Sequence, residues 1–264
     1  MLESLYIGAT GMQAQQFNLD AIANNLVNVN TPGFKKGRVS FVDLVVSGSA
    51  NASPLAQADA LTALVDRVSS GAGVGISRLA RSFEIGDLRK TDAPFDVAIQ
   101  GDGFIEVALP DGGVAYMRGG SLKINKDGLL ANSAGEPLRP NIPIPPNVQT
   151  MTIERDGTVL IRVAGEADSV EAGRIELVRF VSTAGLEALG EGTYRSTIDS
   201  GEAIPIRAGD DGAGGFAQGF LEGANVRMVD EMVNLMLAQR AYEASVKVVQ
   251  ASDEMLGLVN AMRK

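Results

Sequence analysis

NVRMVDEMVNLMLAQRAYEASVKVVQASDEMLGLVNAMRK, residues 225–264, contains no proline and one glycine, Gly257. Nothing in it forbids a single continuous helix, which at 1.5 Å per residue would be about 60 Å long. Asn225 is the residue type expected to cap its start. Alternating steps of four and three pick out Met228, Met232, Leu235, Gln239, Tyr242, Val246, Val249, Asp253, Leu256 and Asn260, a heptad seam with polar interruptions. A second line overlaps it: Val226, Val229, Val233 and Met236 in the first half, then Val248, Ala251, Met255, Leu258 and Met262 in the second. One apolar stripe needs one partner surface; two stripes need two. The expectation is that Met228 to Val249 faces an N-terminal helix of the same chain and that Val248 to Met262 meets other copies.

The first thirty residues supply that N-terminal helix. Leu2, Leu5, Ala9, Met12, Gln16, Leu19, Ala23 and Leu26 repeat at heptad spacing, and Ile22 adds to the same apolar material. Gly8 and Gly11 either weaken the helix or admit a close neighbour. The helix is expected to stop at Asn28-Val29-Asn30-Thr31-Pro32-Gly33, where Pro32 restricts Thr31 to extended geometry and Gly33 permits a sharp turn.

Between these ends the periodicity changes. Phe34-Lys35-Lys36-Gly37-Arg38 reads as a solvated basic patch, and Val39 to Val46 as a strand. Residues 47–75 are rich in Ser, Ala and Gly and read as an arm, with one amphipathic piece from Leu55 to Val68. Short β-leaning runs follow at Ile76 to Ile85, Phe95 to Ile99, Gly103 to Leu109, Met151 to Ile153, Val159 to Val163 and Ile175 to Phe180. Turn pairs punctuate them at Asp111-Gly112, Asp127-Gly128 and Asp156-Gly157. Residues 181–219 look Gly-rich and strand-poor. The expected fold class is α+β: long N- and C-terminal helices pairing as a coiled coil, with a central, mostly antiparallel β domain. The expected divisions are an N-terminal assembly helix (1–33), an extended arm (34–75), the β domain (76–219) and a C-terminal assembly helix (220–264).

Composition narrows the chemistry. Cysteine and histidine are both absent, which removes disulfides, thiolate nucleophiles, imidazole bases and the usual zinc ligands. Net charge is −9, yet residues 1–45 and 225–264 are each balanced, so the whole excess of negative charge lies in residues 46–224. Neutral, apolar ends that associate and an acidic middle that faces water fit this placement, and a basic footprint for nucleic acid is missing. Gly71, Gly73 and Gly75 lack the strand, helix and lysine of a phosphate loop. Asp102-Gly103 and Asp210-Asp211-Gly212 lack the spacing of a calcium loop. The carboxylates are scattered through turns rather than paired for glycoside chemistry. No catalytic residue, cofactor, metal or small-molecule substrate is expected. No run of about twenty apolar residues exists to span a membrane, and the N-terminus lacks the features of a cleaved signal.

Helices with more apolar surface than one chain covers point to self-assembly, and head-to-tail contact gives rings or helical filaments. The residues proposed for that interface are Leu2, Leu5, Met12, Leu19, Ile22, Leu26, Met228, Met232, Leu235, Tyr242, Val246, Val249, Met255, Leu256, Leu258 and Met262. A secreted coiled-coil adhesin or an enzyme would be the competing classes.

SLYIGATGMQAQQFNLDAIANNLVNVNTPGFKK (4–36), DVAIQGDGFIEV (96–107) and LEGANVRMVDEMVNLMLAQRAYEASVKVVQASDEML (221–256) resemble the bacterial flagellar basal-body rod and hook family, and within it the distal-rod branch. The resemblance implies a structural subunit, not an enzyme, that polymerises into a hollow helical drive shaft carrying torque from motor to hook. It implies a basal-body location spanning the periplasm and export through the flagellar type III apparatus without a cleaved signal. The implied partners are further copies of the chain, other rod proteins, the hook protein and the surrounding bushing rings. Proximal rod and hook subunits are the alternatives within the family.

Overall fold

The computed structural model describes residues 2–46, 70–165, 168–210 and 212–262. The chain divides into two compact units, Met1–Asn24 with Gly37–Ala80 and Val229–Lys264, and Asn25–Lys36 with Arg81–Met228. The architecture is α+β.

The first unit holds most of two helices and a two-stranded ribbon. Helix α1 (Leu2–Val27) ends where the Asn28 turn begins: Thr31 N–H donates to the Asn28 carbonyl at 3.0 Å, and Gly33 takes φ +70°. Helix α2 (Met228–Met262) runs without interruption through Gly257, about 50 Å at the ordinary helical rise. It begins three residues later than expected, because Asn225 does not cap it. The Asn225 side chain instead accepts from Lys36 N–H (2.8 Å) and donates to the Ser82 carbonyl (2.8 Å). Strands β1 (Gly37–Val46) and β2 (Ser70–Arg81) pair with each other. Residues 70–75, expected in the arm, therefore belong to a strand. Gly73 and Gly75 lie in that ribbon, not in a phosphate loop, with Gly75 against Val42 and Leu44. The amphipathic piece from Leu55 to Val68 lies outside the described residues.

The second unit is an assembly of antiparallel sheets. The largest runs β15 (Glu187–Gly190), β16 (Thr193–Arg195), β6 (Val114–Met117), β5 (Phe104–Ala108), β14 (Leu177–Arg179) and β17 (Ile204–Ile206), with β10 (Leu138–Arg139) paired to the far end of β5. A meander of β11 (Val148–Ile153), β12 (Thr158–Val163) and β13 (Val170–Arg174) forms a sheet of its own, and β4 (Asp96–Gln100) lies between β18 (Gly215–Gln218) and β7 (Gly119–Ser121). Two short pairs, β3 (Leu88–Lys90) with β19 (Phe220–Glu222) and β8 (Lys123–Ile124) with β9 (Leu130–Ala131), complete it. Strands β15 to β18 fall in the stretch expected to be strand-poor. They are three or four residues long, and β16 and β18 are held by pairing with β6 and β4, far away in sequence, so local pattern does not reveal them.

Alternation along β5 and β6 sorts the core. Ile105, Val107, Met117 and Leu177 project to one face and pack with Leu138, Ile142, Val159 and Ile175. Phe104, Tyr116, Val178 and Tyr194 project to the other. That second face is aromatic: Tyr116 and Phe180 meet edge to face at 4.8 Å, as do Phe83 and Tyr194 at 4.8 Å, and Phe83 and Phe104 at 5.3 Å. A sheet buried on both faces needs neither face polar, which is why β5 reads as a nearly unbroken apolar run. At the edge of β11, one side chain replaces a neighbouring strand. Gln218 Oε1 accepts from Ile153 N–H (3.0 Å), and its Nε2 donates to the Met151 and Pro94 carbonyls (2.8 and 2.6 Å).

Candidate assembly surface

Helix α2 has one line turned inward and the rest turned out. The inward line passes through Glu231, Leu235, Ala238, Ser245, Val249, Ser252 and Leu256. Where the heptad reading has positions 239 and 253, the buried residues are Ala238 and Ser252. Elsewhere on the same line, at Ser245 and Val249, the contact with α1 is close. A Cβ added to Gly8 of α1 would stand 2.6 Å from Val249 Cγ2, and one added to Gly11 would stand 3.3 Å from Ser245 Oγ. Small residues on both sides allow this approach, and the serines cost little because each returns its hydroxyl hydrogen to its own helix: Ser245 to the Ala241 carbonyl (3.0 Å) and Ser252 to the Val248 carbonyl (2.8 Å).

Of the interface candidates on α1, Ile22 is buried, and Leu5, Met12, Leu19 and Leu26 are half-buried; the side chain of Leu2 lies outside the described ones. On α2, Leu235, Val246, Val249 and Leu256 are half-buried, whereas Met228, Met232, Tyr242, Met255, Leu258 and Met262 are exposed. Heptad reading passed over several exposed apolar residues: Tyr6, Ile7 and Phe17 on α1, Leu237 and Val259 on α2. At about 100° per residue, Val229, Met232, Val233, Met236 and Leu237 share the side of α2 opposite its inward line. Val229 is 73% and Leu237 62% exposed. Isolated exposed apolar residues are ordinary, but a contiguous stripe of this size on one helix marks an interaction surface.

In the β unit, the residues just after α1 are stitched to those just before α2. Lys35, read from sequence as part of a solvated basic patch, is wholly buried. Its ammonium donates to Glu222 Oε1 and to the Glu84 carbonyl, each at 2.7 Å. Glu222 is filled on every side: Oε1 also accepts from Gly86 N–H (2.8 Å), Oε2 accepts from Arg118 Nε (3.2 Å), and its main-chain carbonyl accepts from Gly33 N–H (2.7 Å). Arg118 in turn donates to the Gly101 carbonyl at 2.7 Å and lies 5.7 Å above the Phe104 ring. Gly101, at φ +128°, is required there: a side chain would meet Gly214 Cα at 2.7 Å. Burial pushes the Lys35 ammonium below its ordinary value and Arg118 adds to that, only partly offset by Glu222. Burial pushes the Tyr194 hydroxyl up, and the Tyr116 hydroxyl up with help from Glu106.

Among the described residues no three His, Asp or Glu side chains converge as a metal set, and no helix is long and apolar enough to cross a membrane.

Three family profiles match in chain order: "Flagella basal body rod protein" over residues 5–35, "Flagellar hook protein FlgE/F/G D1 domain" over 98–161, and "Flagellar basal body rod FlgEFG protein C-terminal" over 217–262. The flagellar basal-body rod protein FlgG of Borreliella burgdorferi is 42% identical, with all of both chains covered. The chain belongs to the flagellar basal-body rod family. FlgG of Bacillus subtilis is 36% identical over the full length of both chains. FlgF of Caulobacter vibrioides is 31% identical over 97% of this chain and 95% of its own. Members of the rod family are structural subunits of the flagellar basal body, not enzymes, and assemble with other rod and hook components. The first and last profiles fall on the terminal helices and on both halves of the Lys35–Glu222 stitch.

Proposed function

We propose that this protein is the distal rod subunit, polymerising into a hollow helical shaft that crosses the periplasm and carries torque to the hook. The observation that carries the reading is the stripe from Val229 to Leu237, exposed on the side of α2 opposite its inward line. In this reading α1 and α2 pair as an antiparallel coiled coil, with Gly8 and Gly11 against Ser245 and Val249 supporting close contact. The exposed stripe then packs on neighbouring copies. The sixteen interface candidates divide accordingly: half-buried ones such as Met12, Leu19, Leu235 and Val249 hold the pair, and exposed ones such as Met232, Met255 and Met262 meet other subunits.

Full-length identity to FlgG proteins favours the distal rod over the proximal rod; the FlgF relative keeps the proximal position as the second reading. Export through the type III apparatus, and contact with hook protein and bushing rings, follow from the same placement. The test is Met232→Glu with Val233→Glu, followed by motility and by electron microscopy of isolated basal bodies. The expected outcome is a folded subunit and rods truncated before the hook. Full-length rods containing the variant would overturn the reading.

A further inference from the structure

The stitch around Glu222 joins three stretches remote in sequence. Residues 33–36 follow α1, residues 222–225 precede α2, and residues 81–87 lie between. Gly33 N–H reaches the Glu222 carbonyl, Asn225 N–H the Phe34 carbonyl (3.3 Å), Lys36 N–H the Asn225 side chain (2.8 Å), and Gly223 N–H the Asp87 carbonyl (2.8 Å). Arg81 closes the third side, donating to the Lys35 carbonyl at 2.8 Å with its guanidinium 5.4 Å from the Phe34 ring centre. At the middle lie one carboxylate and two cations, with side-chain exposures of 2% for Glu222, 0% for Lys35 and 4% for Arg118.

Such a cluster is a poor way to gain stability, since apolar side chains of the same volume would do as well. Its value is directional. The carboxylate has one arrangement in which both oxygens are satisfied, and that arrangement fixes residue 33 opposite residue 222. An apolar contact tolerates sliding; this one does not.

We propose that the Glu222 cluster is a clasp that pairs the roots of the two terminal helices within the unassembled subunit, so that α1 and α2 enter a filament already tethered at one shared end. The purpose of the clasp rests on the rod-subunit reading, whereas its existence in the free subunit does not. Ends that must otherwise find each other across nearly the whole chain are held adjacent beforehand, which removes the loop-closure cost from the assembly step.

The experiment is hydrogen exchange on the purified, unassembled full-length chain, with incorporation into rods followed in cells. The N–H groups of Gly33, Lys36, Gly86 and Asn225 are expected to be protected in the free wild-type subunit. In Glu222→Gln they are expected to exchange on the order of tenfold faster or more, while Ile105 and Tyr116 in the central sheet are unchanged, and rod incorporation falls. Should Glu222→Gln also loosen the central sheet, Asn225→Ala, which leaves all three charges in place, carries the same test at Lys36 and Gly33. Fast exchange at these four groups in the wild-type free subunit, or selective loosening with undiminished incorporation, overturns the proposal. Absence of wild-type subunits from basal bodies would instead overturn the rod reading and leave the exchange result standing.

Discussion

Gly8 and Val249 touch so closely that one added carbon at position 8 would lie 2.6 Å from Val249 Cγ2. Valine is stiff at χ1, so the neighbour yields only by shifting backbone. Ordinary helix propensity favours Gly→Ala by about 1 kcal/mol, and here overpacking of about 1–3 kcal/mol opposes it. Gly8→Ala is therefore expected to be neutral to destabilising. Gly257→Ala, where the new carbon meets nothing within 4 Å, is expected to stabilise α2 by about 1 kcal/mol. Thermal unfolding of the two variants side by side checks the ordering.

The aromatic face gives a second prediction. Phe104 is 2% exposed and makes ring contacts with Phe83, Phe180 and Tyr194. Phe104→Ala is expected to cost about 3–5 kcal/mol, read as a lowered urea midpoint. The loss also frees the Arg118 guanidinium from its ring, so Phe104→Leu, which keeps volume but not the π face, should fall between the two.

Within the Glu222 cluster the order of damage is set by what each deletion leaves behind. Glu222→Ala leaves two buried cations facing each other, an outcome in the range of about 3–5 kcal/mol. Lys35→Met removes a charge that burial already disfavours and leaves Glu222 with Arg118 and Gly86 N–H, so it is expected to cost clearly less. Chemical denaturation of both variants measures the difference.

The same lysine predicts a pH dependence. Its folded value lies below the unfolded 10.5, so between those two values the unfolded chain binds more protons and stability gains as pH rises. Tyr116 and Tyr194 act oppositely: their folded values lie above 10.0, so the fold loses stability above that pH. Wild type minus Lys35→Met is expected to rise toward alkaline pH, while both proteins decline together once the tyrosines ionise in the unfolded state. Denaturation midpoints between pH 7 and 11 read out both effects.

Much of this architecture is legible in the chain. The Asn28 to Gly33 stop, the uninterrupted C-terminal helix and the turn glycines at 112, 128 and 157 all depend on local backbone rules, and local rules are what a sequence displays. What it hides depends on partners far away. Lys35 looks like any surface lysine beside Lys36 because its carboxylate stands 187 positions later. Asn225 looks like a cap because its true donor, at 36, and its acceptors, at 82 and 84, are remote in sequence. The inward line of α2 runs through Ala238 and Ser252, one residue from the Gln239 and Asp253 of the heptad reading, because a fixed four-three step follows spacing alone and gives no weight to small side chains. Phe34 directly before Lys35, and Leu221 directly before Glu222, are the only hints that these charges sit in apolar company.

The side chain of Gln218 has a consequence beyond its own hydrogen bonds. By occupying Ile153 N–H and the Met151 carbonyl, it seals the open margin of the β11 meander. An unsealed strand margin invites any extended chain to add itself to the sheet. In a polymer that holds many identical β units at very high local concentration, that invitation would compete with the helices for control of how subunits join. Gln218 thus leaves neither of these two main-chain groups of β11 open to an added strand.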